Sequence, residues 1–164
     1  MCTICSALGT ALLIVLILLC LPLTLPRFMD CQAYTVISGS MEPAIPTGSL
    51  VYIKVMEPEN VRIGDVIAYY GDRDTNAIIT HRVMENRVIM GEFITKGDAN
   101  RTEDMNPASY DHFIGRVEVA IPQLGVWAQI MTSREGKIAA GCMIGFAVVL
   151  HLIATVLERI TDVV

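Results

Sequence analysis

A turn-forming motif at residues 38–43, Ser-Gly-Ser-Met-Glu-Pro, contains the side chain of this sequence that is best suited to nucleophilic chemistry. Its second serine, Ser40, follows Gly39, which permits a sharp bend, and precedes Pro43, which restricts the chain. A serine hydroxyl is a weak nucleophile at neutral pH, so it needs a base that accepts its proton and donors that stabilise an oxyanion. With such partners, Ser40 would be able to attack a peptide bond.

Histidine is the first candidate for that base, because imidazole gains and loses a proton close to neutral pH. His81 follows the apolar run 77–79, where a strand is able to project its ring into a site. His112 has an adjacent carboxylate and is a second candidate, although a histidine in a solvated turn explains the same sequence. Lys54 and Lys96 would act as bases only if burial deprotonated them near neutral pH.

The region that contains these residues has the pattern of a β domain. Short runs rich in Val, Ile, Tyr and Phe alternate with turn formers such as Gly64-Asp65 and Gly97-Asp98. A mainly β, mostly antiparallel domain is therefore predicted, and the polar stretch 98–112 is expected to be an irregular loop that holds functional side chains. The predicted strands are 34–37, 50–55, 65–70, 77–83, 87–90, 93–96 and 113–121.

An apolar segment lies on each side of this domain. Residues 6–25 and 138–157 each contain twenty residues without Asp, Glu, Lys or Arg, and about twenty apolar residues suffice to cross a hydrocarbon core as a helix. Both segments are predicted to span a membrane. A cleaved secretory signal is the alternative for the first, but no Lys or Arg precedes it and no small-x-small site follows it. His151, inside the second span, is expected to make a helix–helix or lipid-interface contact.

Charge and cysteine content exclude some classes of function. The formal net charge is −5 without a cluster of Lys and Arg, whereas binding of nucleic-acid phosphates requires a concentrated basic surface. We therefore predict no nucleic-acid partner. Cys31 is the only cysteine between the spans, so that region cannot form an internal disulfide. Cys2 and Cys5 form a C-x-x-C pair that no second pair or nearby histidine completes, so we expect no metal site and no cofactor.

Two further motifs follow the serine motif, Thr-His-Arg-Val at 80–83 and Thr-Lys-Gly-Asp-Ala-Asn at 95–100. In this order within one small domain, the three motifs resemble type I signal peptidases of the endoplasmic-reticulum type, a form shared with archaeal and some Gram-positive enzymes. Autocleaving repressors of the same β fold carry a related serine motif with a lysine base, and the histidine of the second motif selects the signal peptidases. The resemblance covers roughly residues 36–122. It implies a signal-peptidase/LexA-like β domain between an N-terminal and a C-terminal transmembrane helix.

Carried onto this sequence, the resemblance implies a serine endopeptidase with Ser40 as nucleophile and His81 as general base. Ser38 matches a serine whose hydroxyl forms the oxyanion hole together with the backbone N–H of Ser40. Two aspartates of the family match Asp98 and Asp104. We expect Asp104 to orient His81, because a carboxylate bonded to the far ring nitrogen fixes the imidazole tautomer. Asp98 follows a glycine at a turn and is expected to hold the loop through local backbone amides.

Two other motif residues have less definite roles. Met41 matches an apolar residue beside the nucleophile, which suits a site next to lipid, but a methionine also fills gaps in a protein core. Ala99 occupies a position that is often polar in the family, so we expect the loop packing to differ there without loss of catalysis.

The resemblance also implies a substrate and a location. It implies removal of signal peptides from secretory preproteins by cleavage after small residues, next to the lipid bilayer, with accessory subunits left open. The positive-inside rule, applied to the Lys and Arg residues that flank the spans, would by itself place the middle domain in the cytoplasm. The resemblance instead predicts a multi-pass protein of the cell membrane. Its expected parts are a cytoplasmic stub and anchor (1–25), an extracytoplasmic catalytic β domain (26–137), and a transmembrane helix with a short tail (138–164).

Two other classes of protein are compatible with parts of the sequence. A non-catalytic membrane adaptor would bind precursors or a partner through the β domain, but binding alone does not require Ser40, His81 and two carboxylates. A self-cleaving regulator would need an internal scission sequence and usually a DNA-binding segment, and the sequence contains neither.

Overall fold

The computed structural model describes residues 2–24, 30–71 and 77–161 of the chain. The chain divides into two compact units, one formed by residues Met1–Leu25 with Gln129–Val164, and the other by residues Pro26–Ala128. The first is helical and the second is a curled antiparallel sheet. The expected fold class, mainly β with an apolar helix at each end, is confirmed.

The helical unit contains α1 (Cys2–Thr24) and α3 (Arg134–Thr161), which pack against each other. Both are long and apolar enough to cross a membrane. Helix α3 begins four residues before the apolar run predicted at 138, because Ser133 caps it: the Ser133 hydroxyl accepts the N–H of Gly136 at 3.0 Å. Glu135 in the first turn further favours this start, since a carboxylate complements the positive end of the helix dipole.

A polar contact joins the two long helices. His151 Nε2 lies 3.5 Å from the Thr10 hydroxyl. Gly9 is buried beside the same ring, and a β-carbon at Gly9 would lie 3.1 Å from His151 Nε2. This is the helix–helix contact that was one of the two expectations for His151.

In the described part of the β unit, seven strands form one sheet with the order β1-β2-β7-β3-β4-β5-β6, and every neighbouring pair is antiparallel. Irregular register between Tyr52 and Ile53, and again after Ala68 and Val83, adds local bending that curls the sheet. The strands are β1 (Cys31–Thr35), β2 (Leu50–Lys54), β3 (Val66–Tyr70), β4 (Ile78–Arg87), β5 (Glu92–Lys96), β6 (Ala108–Ser109) and β7 (Phe113–Ile121).

The strand predicted at 87–90 is wrong. Arg87 is the last residue of β4, and residues 88–90 form the turn that leads into β5. The N–H groups of Met90 and Gly91 both donate to the Arg87 carbonyl at 3.0 Å, and Gly91 has a φ of 67° that favours glycine. The apolar side chains of the turn resemble a strand in sequence, yet Ile89 is fully exposed.

Helix α2 (Leu124–Thr132) was not predicted. It follows Gln123, which has a φ of 62°, and its first turn lies close to the backbone of the β1–β2 connection. The Gly125 N–H donates to the Gly48 carbonyl at 3.0 Å, and Gly125 is buried. A side chain at position 125 would collide with that backbone, so glycine is required there.

The core lies on both faces of β3, whose side chains alternate between them. On one face, Ile67 and Tyr69 belong to a buried cluster with Phe93. On the other face, Ala68 packs with Met41 and neighbouring apolar side chains. The first cluster includes Val83 of β4, the strand that bears His81. The second includes Met41, which anchors the turn that bears Ser40.

Candidate active site

Ser40 lies in the turn that connects β1 to β2. The next residue, Met41, is 1% exposed and belongs to the second core cluster, so it fixes the turn to the sheet. Glu42 also stabilises the turn, because its carboxylate accepts the hydroxyl of Thr47 at 3.0 Å and the N–H of Thr47 at 3.3 Å. Met41 is therefore a core residue, which was one of the two interpretations of its role. It also lines the cleft beside Ser40.

Ser38 and Ser40 lie side by side in this turn. Their hydroxyl oxygens are 3.3 Å apart, and either group is able to donate. Ser38 is exposed and Ser40 is half-buried. The structure thus brings the expected nucleophile and the expected oxyanion-hole serine together at the surface of the β unit.

His81 and Asp104 form a hydrogen-bonded pair. His81 lies in β4 and is 8% exposed, and its Nδ1 atom is 2.5 Å from Asp104 Oδ2. An ionised carboxylate only accepts hydrogen bonds, so Nδ1 is the donor to Asp104, and in the neutral ring Nε2 is then an acceptor. The ring of His81 also lies edge-on to Tyr69, with ring centroids 6.5 Å apart.

The serine turn and the histidine converge at Gly97, just after β5. A β-carbon at Gly97 would lie 2.6 Å from the Ser40 carbonyl oxygen and 3.0 Å from His81 Nε2. The N–H of Ala99 donates to the same Ser40 carbonyl at 2.9 Å. The backbone of Ser40 and the acceptor nitrogen of His81 therefore border one small space, while the Ser40 hydroxyl contacts Ser38 rather than the imidazole.

Asp98 has a different partner from Asp104. Its two carboxylate oxygens accept hydrogen bonds from Arg82 at 2.8 Å and 2.6 Å, and these bonds lower the pKa of Asp98. Arg82 also donates to the Gly64 carbonyl at 2.7 Å. Asp98 thus attaches the loop after β5 to β4 through a guanidinium group, instead of through the backbone amides that were expected, because Arg82 projects from the neighbouring strand.

Two hydroxyl groups that were not predicted as site residues contact Asp104. The Thr95 hydroxyl donates to Asp104 Oδ2 at 2.7 Å, and the Tyr69 hydroxyl lies 3.3 Å from the same oxygen. Burial of Tyr69 raises its pKa to about 12. Thr95 is the first residue of the third motif, and this position was the one feature of the sequence that could have identified it as a site residue. No pattern distinguishes Tyr69 from the other aromatic residues in the strands.

Each of the other candidate bases has its own place in the β unit, and His112 lines a cavity that His81 and Asp104 also line. Lys54 is exposed at the end of β2, and Lys96 is the last residue of β5, opposite Arg82 in the neighbouring strand. His112 ends a short 3₁₀ helix (Tyr110–His112). In the part of the chain that the structure describes, the Ser40 hydroxyl contacts Ser38 and none of these three side chains.

A cleft with a volume of about 280 Å³ opens beside Ser40. One wall is the segment that leads from β1 to the serine turn, including Val36 and Ile37, and the other is the start of β4, including Ile78. Its lining is mostly apolar, and both walls are extended chain. Two extended walls suit a peptide that binds in an extended conformation.

Comparison with known proteins supports the resemblance that the three sequence motifs indicated, although no family model matches the chain. The chain is 36% identical over 88 residues to signal peptidase I W of Bacillus subtilis, which covers 51% of this chain and 45% of that protein. It is 32% identical over 130 residues to the signal peptidase complex catalytic subunit SEC11 of Eremothecium gossypii, covering 73% of this chain and 76% of that one. It is also 27% identical over 126 residues to the putative signal peptidase complex catalytic subunit SEC11B of Homo sapiens. The chain thus spans less than half of the bacterial relative and about three quarters of the fungal one.

Proposed function

This chain belongs to the signal peptidases of the endoplasmic-reticulum type, a family of hydrolases, and we propose that it removes signal peptides from secretory preproteins by serine–histidine catalysis. The observation that carries the proposal is the His81–Asp104 pair. Its hydrogen bond of 2.5 Å leaves Nε2 free to accept a proton on the side where the Ser40 backbone lies. The names of the relatives supply the substrate class.

In the proposed reaction, the preprotein lies extended in the cleft beside Ser40. The Ser40 hydroxyl leaves Ser38, donates to His81 Nε2 and attacks the scissile carbonyl carbon, while its proton passes to Nε2. The resulting oxyanion accepts hydrogen bonds from the Ser38 hydroxyl and the Ser40 N–H. Nε2 then gives its proton to the leaving amine, which yields an acyl-enzyme and the mature protein.

Hydrolysis of the acyl-enzyme completes the cycle. A water molecule replaces the departed amine, and Nε2 again accepts a proton as the water oxygen attacks the ester carbon. Collapse of the second tetrahedral intermediate returns the proton to Ser40 and releases the signal peptide. Asp104 stabilises the imidazolium that forms in both halves of the reaction.

The proposal includes the membrane. We assign the apolar segments of α1 and α3, predicted at 6–25 and 138–157, as two transmembrane spans and residues 26–137 as an extracytoplasmic catalytic domain. A preprotein presents its apolar segment in the lipid with the scissile bond just outside it, so confinement of both molecules to one surface supplies orientation that free diffusion lacks. The fungal and human relatives are named as subunits of a complex. Affinity purification in mild detergent followed by mass spectrometry would identify accessory subunits of this chain.

The decisive experiment uses the detergent-solubilised full chain and a secretory precursor. The wild type should release a product whose new N-terminus, measured by mass spectrometry, follows a small residue. Ser40→Ala should abolish this product without changing the melting temperature, because the hydroxyl acts in catalysis. Ser109→Ala removes the same group from β6 and should leave cleavage intact. Cleavage by Ser40→Ala would refute the nucleophile, and precursor binding without cleavage by the wild type would indicate an adaptor.

A further inference from the structure

Among the described residues, one oxygen of Asp104 is the acceptor for three side chains. Oδ2 lies 2.5 Å from His81 Nδ1, 2.7 Å from the Thr95 hydroxyl and 3.3 Å from the Tyr69 hydroxyl. Because an ionised carboxylate only accepts, each of these groups points a proton at it. The single proton of Thr95 is thereby used, so Tyr69 is the donor in the 3.1 Å contact between the two hydroxyl oxygens, and its one proton is shared between the Thr95 oxygen and Oδ2.

The two hydroxyl groups belong to buried strand residues, whereas Asp104 is on an irregular loop. Thr95 is fully buried in β5, and Tyr69 is 6% exposed in β3. Thr95 contacts Asp104 twice, because its carbonyl also accepts the Asp104 N–H at 2.9 Å. The strands therefore fix both the backbone and the carboxylate of a residue whose own segment has no regular structure.

From this arrangement we propose that Thr95 and Tyr69 are positioning residues, which hold the Asp104 carboxylate in line with His81. The inference rests on the proposed function, since it concerns how the same site is ordered. Neither hydroxyl lines the cleft beside Ser40, so both act through Asp104 and His81. A directed chain from Tyr69 to Thr95 to Asp104 also places donor dipoles toward the carboxylate, which strengthens each bond in a buried setting.

The surroundings of Asp104 show what the hydroxyl groups prevent. A cavity of about 270 Å³ lies on this side of His81 and is lined by Tyr69, Asp104 and His112, among others. The side chain of Asp104 is 20% exposed. Without the two hydroxyl donors, the carboxylate would be able to rotate toward this cavity and exchange the imidazole for water. Burial raises the pKa of Tyr69 to about 12, so its hydroxyl keeps its proton even at alkaline pH values where an exposed tyrosine begins to lose it.

The test compares Thr95→Val, which keeps the shape and removes the hydroxyl, with Thr95→Ser, which keeps the hydroxyl. Because a hydrogen bond to a charged group is lost, Thr95→Val should lower kcat roughly 10- to 100-fold, with KM within about twofold of the wild type. Thr95→Ser should stay within about threefold, since it retains the donor. Tyr69→Phe, which removes the outer donor, should lower kcat by roughly 3- to 10-fold.

A double variant distinguishes a positioning role of Thr95 from a purely structural one. If Thr95 acts through Asp104, adding Thr95→Val to Asp104→Asn should change kcat by less than about twofold, because the carboxylate it positions is already lost. A purely structural role would produce the same loss in both backgrounds and would overturn the inference. Wild-type activity in Thr95→Val would overturn it too. If Thr95→Val fails to fold, the Tyr69→Phe variant tests the proposal instead. An unchanged kcat in Tyr69→Phe would then contradict it.

A spectroscopic readout keeps this inference distinct from the proposed function. The proton on His81 Nδ1 should give a low-field NMR resonance in histidine-labelled wild type, and Thr95→Val should shift or broaden it. That result supports positioning even if the wild type cleaves no precursor, which would refute the peptidase alone. An unchanged resonance in an active enzyme would overturn the positioning role alone.

Discussion

The Nδ1 atom of His81 lies 2.5 Å from the Oδ2 atom of Asp104, whereas Asp98, six residues earlier, is paired with the neighbouring Arg82. Two carboxylates of one loop thus face adjacent residues of β4 and perform different tasks. In the proposed mechanism Asp104 orients the base, whereas Asp98 attaches the loop to the sheet through Arg82. Substitution of each carboxylate should therefore produce a different defect.

Asp104→Asn should lower kcat at least about 100-fold while leaving the melting temperature nearly unchanged. The amide cannot hold the imidazole in the same tautomer or stabilise the imidazolium, and loss of this function is costly in serine–histidine enzymes. Cleavage rates under saturating precursor, together with thermal unfolding, test this. Asp98→Asn is the matched control, and it should affect stability more than kcat. The reverse ranking would exchange the roles of the two aspartates.

The Asp98–Arg82 pair should make stability depend on pH in the acidic range. The hydrogen bonds from Arg82 lower the folded-state pKa of Asp98, and an unfolded aspartate titrates near ~3.9. The stabilisation is therefore fully present above about pH 4 and is lost as the pH falls through the lower, folded-state pKa.

Thermal unfolding of the wild type and Asp98→Asn between pH 7 and pH 2.5 tests this dependence. The difference in melting temperature should be largest near neutrality and should shrink below about pH 4. Asp111→Asn, at an exposed carboxylate, serves as the control. A difference that stays constant down to the lowest pH would show that the pair contributes no linked stability.

The sequence predicted the parts of the site whose roles depend on residue type and order. The serine, the histidine and Asp98 lie in the three motifs, and Asp104 was matched by its position six residues after Asp98. Runs rich in Val, Ile, Tyr and Phe marked most of the strands. The contacts of the other site residues depend on burial and on distances in the folded chain, which local sequence does not reveal. Thr95 and Tyr69 are ordinary strand residues until the fold brings them to one carboxylate, and the partner of Asp98 lies sixteen positions away in β4.

Errors in the predicted fold have a similar origin. Residues 88–90 are apolar and were assigned to a strand, but the backbone at Gly91 turns and leaves Ile89 exposed. Helix α2 has no charged residue and is nine residues long, so its sequence lacks the amphipathic contrast that marks a helix. Its start depends on the close approach of Gly125 to Gly48, which local sequence does not reveal.

Gly97→Ala should reduce kcat, because the added methyl group would occupy the space between the Ser40 carbonyl and His81 Nε2. The nearest atom, the Ser40 carbonyl oxygen at 2.6 Å, must shift together with the Asn100 side chain at 2.8 Å. Small displacements of reacting groups are expensive in catalysis, so we expect a loss of about 100-fold. Gly141→Ala is the control, since a β-carbon there meets no atom within 4 Å. Cleavage kinetics and melting temperature should be measured for both. Full activity in Gly97→Ala would mean that the serine and the histidine do not cooperate across this space.

Ser38→Ala should lower kcat about 100-fold with little change in KM, because an oxyanion-hole donor acts on charge that develops only in the transition state. The motivating distance is the 3.3 Å between the Ser38 and Ser40 hydroxyl oxygens. Ser38→Thr restores a hydroxyl at the same position and should recover part of the rate. Steady-state kinetics on a precursor peptide give both constants. If Ser38→Ala raises KM while kcat stays at the wild-type value, Ser38 binds the ground-state peptide instead, and the oxyanion must find its second donor elsewhere in the turn.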